Sequence, residues 1–169
     1  MPRYGEAQVG NPILAEFQAE KDGIYDFKLY PQLWGSLELE RFYRGRNWTI
    51  HQFLDPGPDL EPISGIYMFV VSPECGGIRD HSYIFYVGQT TNQRVRYKHY
   101  LNEKKGNVAN PRRALVMLLN YFEGYIYFHF TPVPAADLDR AEKILKDNIT
   151  PVSNTQLEII GRLAKVNLE

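Results

Sequence analysis

The stretch Asp55-Pro56-Gly57-Pro58-Asp59, followed by Glu61-Pro62, constrains this chain more than any other. Proline lacks a backbone N–H and fixes φ, so neither a helix nor a central strand can run through it. The break divides the 169 residues into an N-terminal extension, 1–62, and a domain, 63–169. A chain of this length buries about 70% of its extended surface, enough for one core. The extension carries Tyr25, Phe27, Tyr30, Trp34, Phe42, Tyr43, Trp48 and Phe53. So many exposed rings would form an aggregation-prone patch. The extension is therefore expected to pack on the domain behind it or to contact nucleic acid.

Beyond the break the pattern becomes regular. Ile66–Val71 and Ser82–Val87 are apolar runs rich in β-formers. Pro73, Gly76 and Gly77 mark a long turn between them, which predicts an antiparallel hairpin. Gln93–Glu103 contains no Gly or Pro and suits a helix. Arg113–Phe122 repeats Ala114, Leu115, Leu118 and Tyr121/Phe122 at helical spacing. Tyr125–Thr131 reads as a third strand, closed by Pro132 and Pro134. Asp137 is placed to cap a helix reaching about Lys146. Thr155 and Glu158 form a capping box that opens a C-terminal helix, 155–166. The order predicts an α+β fold, a three-stranded mainly antiparallel β-sheet flanked by helices, with the aromatic-rich extension ahead of it.

Composition excludes several classes. Hydrophobic residues at 44% and charged residues at 23% are globular values, which rules out wholesale disorder. The single Cys75 excludes a disulfide scaffold and a zinc site built on several thiolates. No apolar run approaches the roughly 20 residues of a membrane span. Met1–Gly10 lacks the layout of a signal peptide. The expectation is a soluble cytoplasmic protein with no membrane partner. The net charge of −1 hides a concentration: Arg94, Arg96, Lys98, Lys104, Lys105, Arg112 and Arg113 face Glu103 alone. Seven cations against one acid, net +6 within residues 93–113, is the shape of an anion-binding patch, or of a solvated helix face and loop.

Three features carry candidate chemistry. Glu142 sits beside the apolar stripe Leu138, Ala141, Ile144 and Leu145, where a carboxylate is costly without a cation. Either it pairs with Lys146 one turn on, or it is a metal ligand. Tyr67 and Tyr86 lie inside the two hairpin strands, close to Gly65 and Gly88, in core or site roles. Arg96 shares a helix face with His99 and Tyr100, a grouping suited to phosphate or to plain exposure.

Taken in order, Gly65-Ile66-Tyr67, Tyr86-Val87-Gly88, Arg96 eight residues on, and Glu142 followed by Pro151 and Asn154 resemble the GIY-YIG nuclease superfamily. The likeness covers Gly65 to Asn154, about half the chain, with Val in place of the middle Ile of the second triplet. It implies a metal-dependent endonuclease in which Glu142 holds a single Mg2+ or Mn2+ and Arg96 holds the scissile phosphate. Tyr67 and Tyr86 would line the site, one of them activating or positioning water, and Asn154 would orient groups at its edge or cap the last helix. Many members have a histidine four residues after the arginine. Here that place is Tyr100, with His99 one residue early, and some members carry a tyrosine there. Arg94 is a second candidate arginine.

Tyrosine is a poor base at its ordinary pKa of ~10, but Arg96, Lys98 and a metal ion would favour a phenolate. Tyr67 is preferred over Tyr86, with metal-bound hydroxide as a rival. DNA, double- or single-stranded, is the expected partner by analogy, contacted by Arg94, Lys98, Lys104, Lys105, Arg112 and Arg113. A homodimer would serve if both strands are cut. Arg41-Phe42-Tyr43-Arg44-Gly45-Arg46-Asn47-Trp48 could stack on bases, although packing suits those rings better. The alternative is a nucleic-acid-binding module of the same fold that does not cut.

Overall fold

The computed structural model describes residues 36–72 and 82–151. Tyr25, Phe27, Tyr30 and Trp34, the turn residues Pro73, Gly76 and Gly77, Asn154 and the helix expected at 155–166 lie outside the described residues. Helix α1 (Leu37–Tyr43) opens at Ser36, whose Oγ accepts from the Leu39 N–H at 3.1 Å. Strands β1 (Thr49–Gln52), β2 (Gly65–Val71) and β3 (Tyr83–Thr90) follow. Then come α2 (Gln93–Lys104), α3 (Arg113–Tyr121), β4 (Ile126–Pro132), a 3-10 turn (Ala135–Asp137) and α4 (Leu138–Ile149). The fold is α+β. Among the described residues no helix is long and apolar enough to cross a membrane.

The sheet has four strands in the order β1-β4-β2-β3, all neighbours antiparallel. This corrects the expected three: the extra strand is β1, which comes from the extension and pairs Thr49 with Phe130 and Gln52 with Tyr127. Its residues are mostly exposed and show no apolar alternation, so hydrogen bonding to β4 and its approach, rather than apolar packing, defines it. Asp137 takes the expected N-cap position of α4, but its side chain makes no capping hydrogen bond there.

Strand β2 is central, and every residue of it is buried. Coverage on both faces explains its unbroken apolar run. Tyr67, Phe69 and Val71 face an aromatic core shared with Phe85, Phe128, Phe130 and α2/α3 side chains Tyr97, Tyr100, Leu115 and Leu118. Ile66, Met68 and Val70 face the other way, onto Leu39 and Phe42 of α1 and Leu138, Ala141 and Leu145 of α4. The sheet thus lies between two helical layers. Three rings of the extension belong to this second layer, where Trp48 packs on Phe42 and Tyr43 and the Arg46 guanidinium stands 4.4 Å above the Phe42 ring, whereas Phe53 packs on Phe69 and Tyr97 in the aromatic core.

The proline-rich break wraps one side chain. The Tyr97 hydroxyl donates to the Leu54 carbonyl and accepts from the Leu54 N–H, both at 3.1 Å. A Cβ at Gly57 would collide with the Tyr97 ring. Gly88 is constrained in the same manner, because Tyr67 is its cross-strand partner and lays its phenol over the bare backbone. A Cβ there would stand 2.5 Å from Cζ of Tyr67. Gly88→Ala is therefore expected to cost about 1–3 kcal/mol through overpacking. Thermal or urea unfolding measures this; an unchanged midpoint would contradict the close approach.

Candidate active site

The β2/β3 register brings the two motif tyrosines together. Tyr67 stands opposite Gly88 and Phe69 opposite Tyr86. The Tyr67 ring stacks on Tyr86 with centroids 6.1 Å apart and on Phe128 at 5.4 Å. Tyr100 comes from α2 and meets Tyr67 edge-on, the two hydroxyls 2.5 Å apart. Tyr67 is 1% exposed and Tyr100 is fully buried, whereas Tyr86 is half-buried. Tyr100, not His99, therefore joins the motif tyrosines; His99 is 43% exposed on the outer side of α2.

Burial pushes the Tyr67 phenol well above its ordinary range, and the neighbouring Tyr86 adds to this. The Tyr100 hydrogen bond and the charges of Arg96 and Arg112 act in the opposite direction but are outweighed. Burial, followed by Tyr67 and Tyr86, raises the Tyr100 phenol as well. The cations thus oppose the shift as the sequence suggests, but desolvation outweighs them.

Arg112 is turned inward. Its Nη1 donates to the Tyr86 hydroxyl at 3.0 Å and the Tyr100 hydroxyl at 2.9 Å. Its Nε and Nη2 meet the two carboxylate oxygens of Glu103 at 3.1 and 2.7 Å. Glu103 is only 2% exposed. Burial disfavours the guanidinium charge, but Glu103 and the two phenols more than offset it and hold Arg112 above its usual range. Arg112 was assigned to the phosphate-contacting surface by sequence, and four of its five N–H donors are instead committed to the cluster. Sequence reasoning missed Glu103 as a site residue. Its signal was available, as the one acid among seven cations.

The rest of the basic stretch is largely paired. Arg94 donates to the Leu60 carbonyl at 2.6 Å and to Asp59 at 3.1 Å. Lys104 pairs with Glu123, and Lys105 with Asp55. The acids of the proline-rich break thus lie on the basic helix, and the local excess of charge is smaller than residues 93–113 suggest. Arg96 and Lys98 make no ion pair with any described residue, and Arg96 acts electrostatically on Tyr67. Arg113 is exposed at the start of α3.

Glu142 belongs to the other helical layer. Its carboxylate pairs with Lys146 at 2.9 Å and is 19% exposed. No hydrogen bond or ion pair among the described residues links it to the tyrosine cluster or to Arg96. Its position on α4 is nevertheless specific. Ile144, on one flank of α4, packs against the cluster formed by side chains of the sheet, α1 and α4. Glu142 is on the opposite flank, one turn after Asp139, which accepts from Gln89 Nε2 at 2.6 Å. Gln89 follows Gly88 on β3, an edge strand. The Asp139/Glu142 stripe consequently runs beside β3, while Tyr86, Tyr100 and Arg112 occupy the other face of that strand. Asn154 lies outside the described residues.

The chain matches no known family in a scan of family models, no curated protein and no solved structure.

The raised phenols couple to stability. Tyr67 and Tyr100 have folded values above the ordinary 10.0, so the native state retains their protons longer than the unfolded chain does. Their contribution is fully present below pH 10 and declines above it, by about 1.4 kcal/mol per pH unit for each phenol that ionises only when unfolded. Urea unfolding from pH 8 to 11 should show this decline, with a shallower slope in Tyr67→Phe. An identical slope in that variant would contradict the buried-phenol assignment.

Proposed function

We propose that the chain is a metal-dependent endonuclease of the GIY-YIG type, hydrolysing phosphodiester bonds of DNA in a compact restriction-type or repair-type role. The observation that carries this reading is the arrangement around Gly88. Tyr67 covers it from β2, Tyr86 and Tyr100 gather on the same face, and the Glu142 stripe runs beside the outer edge of β3. The sequence resemblance supports the same residues in the same order.

Mg2+ takes hard oxygen ligands and is commonly held by one or two carboxylates, with substrate phosphate and water completing the shell. Glu142, with Asp139 one turn away, would supply the carboxylates of such a partial site in exchange for its Lys146 partner. When bound, the metal supplies Lewis-acid stabilisation of phosphate charge and lowers the pKa of coordinated water. The protein supplies the remainder. Arg96 offers a guanidinium with no ion-pair partner among the described residues, fixed charge for the developing phosphorane. Tyr86 presents a half-buried hydroxyl, and Tyr67 with Tyr100 forms the rigid floor behind it. Lys98 and the exposed ion pairs along α2 contact backbone phosphates, since such pairs are worth at most about 1 kcal/mol and exchange for phosphate. One site cuts one strand, so cleavage of both would use a homodimer or two events.

A second reading is a nucleic-acid-binding module of the same fold that does not cut. The Glu142–Lys146 pair favours it, because it commits the expected metal ligand to a lysine and holds it apart from Arg96. Supercoiled plasmid and a short single strand, incubated with magnesium or with chelator, separate the two. The nuclease reading expects magnesium-dependent cutting that falls on the order of 10²–10³-fold in Glu142→Ala and in Arg96→Ala. Salt-sensitive binding without cutting of either substrate would favour the module.

A further inference from the structure

We infer that Arg112, clamped by the buried Glu103, is a positioning residue that aims the Tyr86 hydroxyl outward as a hydrogen-bond donor to a phosphate oxygen of the substrate. The use of that donor rests on the nuclease reading; the geometry that creates it does not.

The argument follows from counting donors and lone pairs. A guanidinium has five N–H donors and no acceptor. In Arg112 the Nε and Nη2 edge is taken by both oxygens of Glu103, and Nη1 serves the hydroxyls of Tyr86 and Tyr100. Each phenol oxygen that accepts from Arg112 must direct its own O–H elsewhere. For Tyr100 the second partner is Tyr67, 2.5 Å away. The Tyr86 hydroxyl has no second partner among the described residues, and its half-buried position leaves the O–H aimed away from Arg112. Such a donor matches an acceptor-only ligand atom, and a non-bridging phosphate oxygen is one.

Glu103 decides what Arg112 can do. Releasing the guanidinium toward a DNA backbone would leave a carboxylate of 2% exposure without its cation. His99 Nε2, 3.5 Å from Glu103 Oε1, is too distant to replace the bidentate fork. Lysine in place of Arg112 would keep the charge but could not bridge a carboxylate and two phenols at once.

The test uses the full chain with tyrosine labelled at Cζ with carbon-13, since the phenol carbon reports hydrogen bonding at its oxygen. Glu103→Gln and Arg112→Lys are compared with wild type, with circular dichroism checking that each is folded. Both variants should shift the Tyr86 and Tyr100 resonances. A Tyr86 resonance unmoved in folded Arg112→Lys and Glu103→Gln would overturn the inference.

Cleavage and DNA binding add a second readout. In Glu103→Gln, Arg112→Lys and Tyr86→Phe, kcat should fall about 10–100-fold with KM little changed. The Arg112→Lys/Tyr86→Phe double variant should be no worse than the poorer single variant. Arg112→Gln should leave the salt dependence of DNA binding unchanged, whereas a slope lower by about one would make Arg112 a phosphate contact and overturn the inference. Wild type that cuts no DNA, with the resonances shifting as expected, would sink the nuclease reading while the positioning role stands.

Discussion

A tyrosine in a strand buried on both faces must find a partner for its hydroxyl inside the protein, and that obligation organises this molecule. Strand β2 is wholly buried, so the Tyr67 hydroxyl cannot reach water. It meets Tyr100, whose hydroxyl accepts from Arg112, whose guanidinium is neutralised by Glu103. Each step satisfies a polar group that burial would otherwise penalise by about 1–3 kcal/mol. The chain of contacts ties β2 to the end of α2 and to the residue that opens α3. It also fixes Gly88, since the Tyr67 ring occupies the space a side chain would need.

The same packing assigns different work to residues that look equivalent in sequence. Tyr67 and Tyr86 stand in mirrored motifs, but the first is in the central strand and the second in the edge strand. One is a fully buried phenol bonded to Tyr100, and the other is half-buried and accepts from Arg112. Arg96 and Arg112 both belong to the basic stretch, yet only Arg112 has a buried carboxylate to hold it inward. Helix α4 is packed against the opposite face of the sheet, so Glu142 can approach the group only along the outer edge of β3.

Much of this was legible in the sequence. The hairpin, α3, the β4 strand and α4 announced themselves through apolar pattern and flanking glycine or proline, and α2 through the absence of either breaker. Strand β1 did not, because Thr49–Gln52 lies at the sheet edge with mostly exposed side chains, and its pairing with β4 is a backbone event. Helix α1 is seven residues long, too short for periodicity to stand out, although Ser36 with Leu39 and Phe42 carried its signal. The motif tyrosines and glycines were found by their spacing. Arg112 and Glu103 were misread or missed because spacing within a charged run does not say which members turn inward. Asp55 and Asp59 were read as breakers of structure, but their carboxylates also pair with Lys105 and Arg94 at the two ends of α2, a long-range pairing that no local pattern encodes.

The central claim is that Glu142 and the tyrosine face form one site across the edge of β3. Paramagnetic broadening by Mn2+ in amide spectra of the full chain, bound to a short DNA duplex, tests it most directly. The account predicts broadening centred on Glu142 and Asp139 that extends through Gln89 and Gly88 to Tyr86, and that is lost in Glu142→Ala. Broadening centred elsewhere, or unchanged in Glu142→Ala, would contradict it.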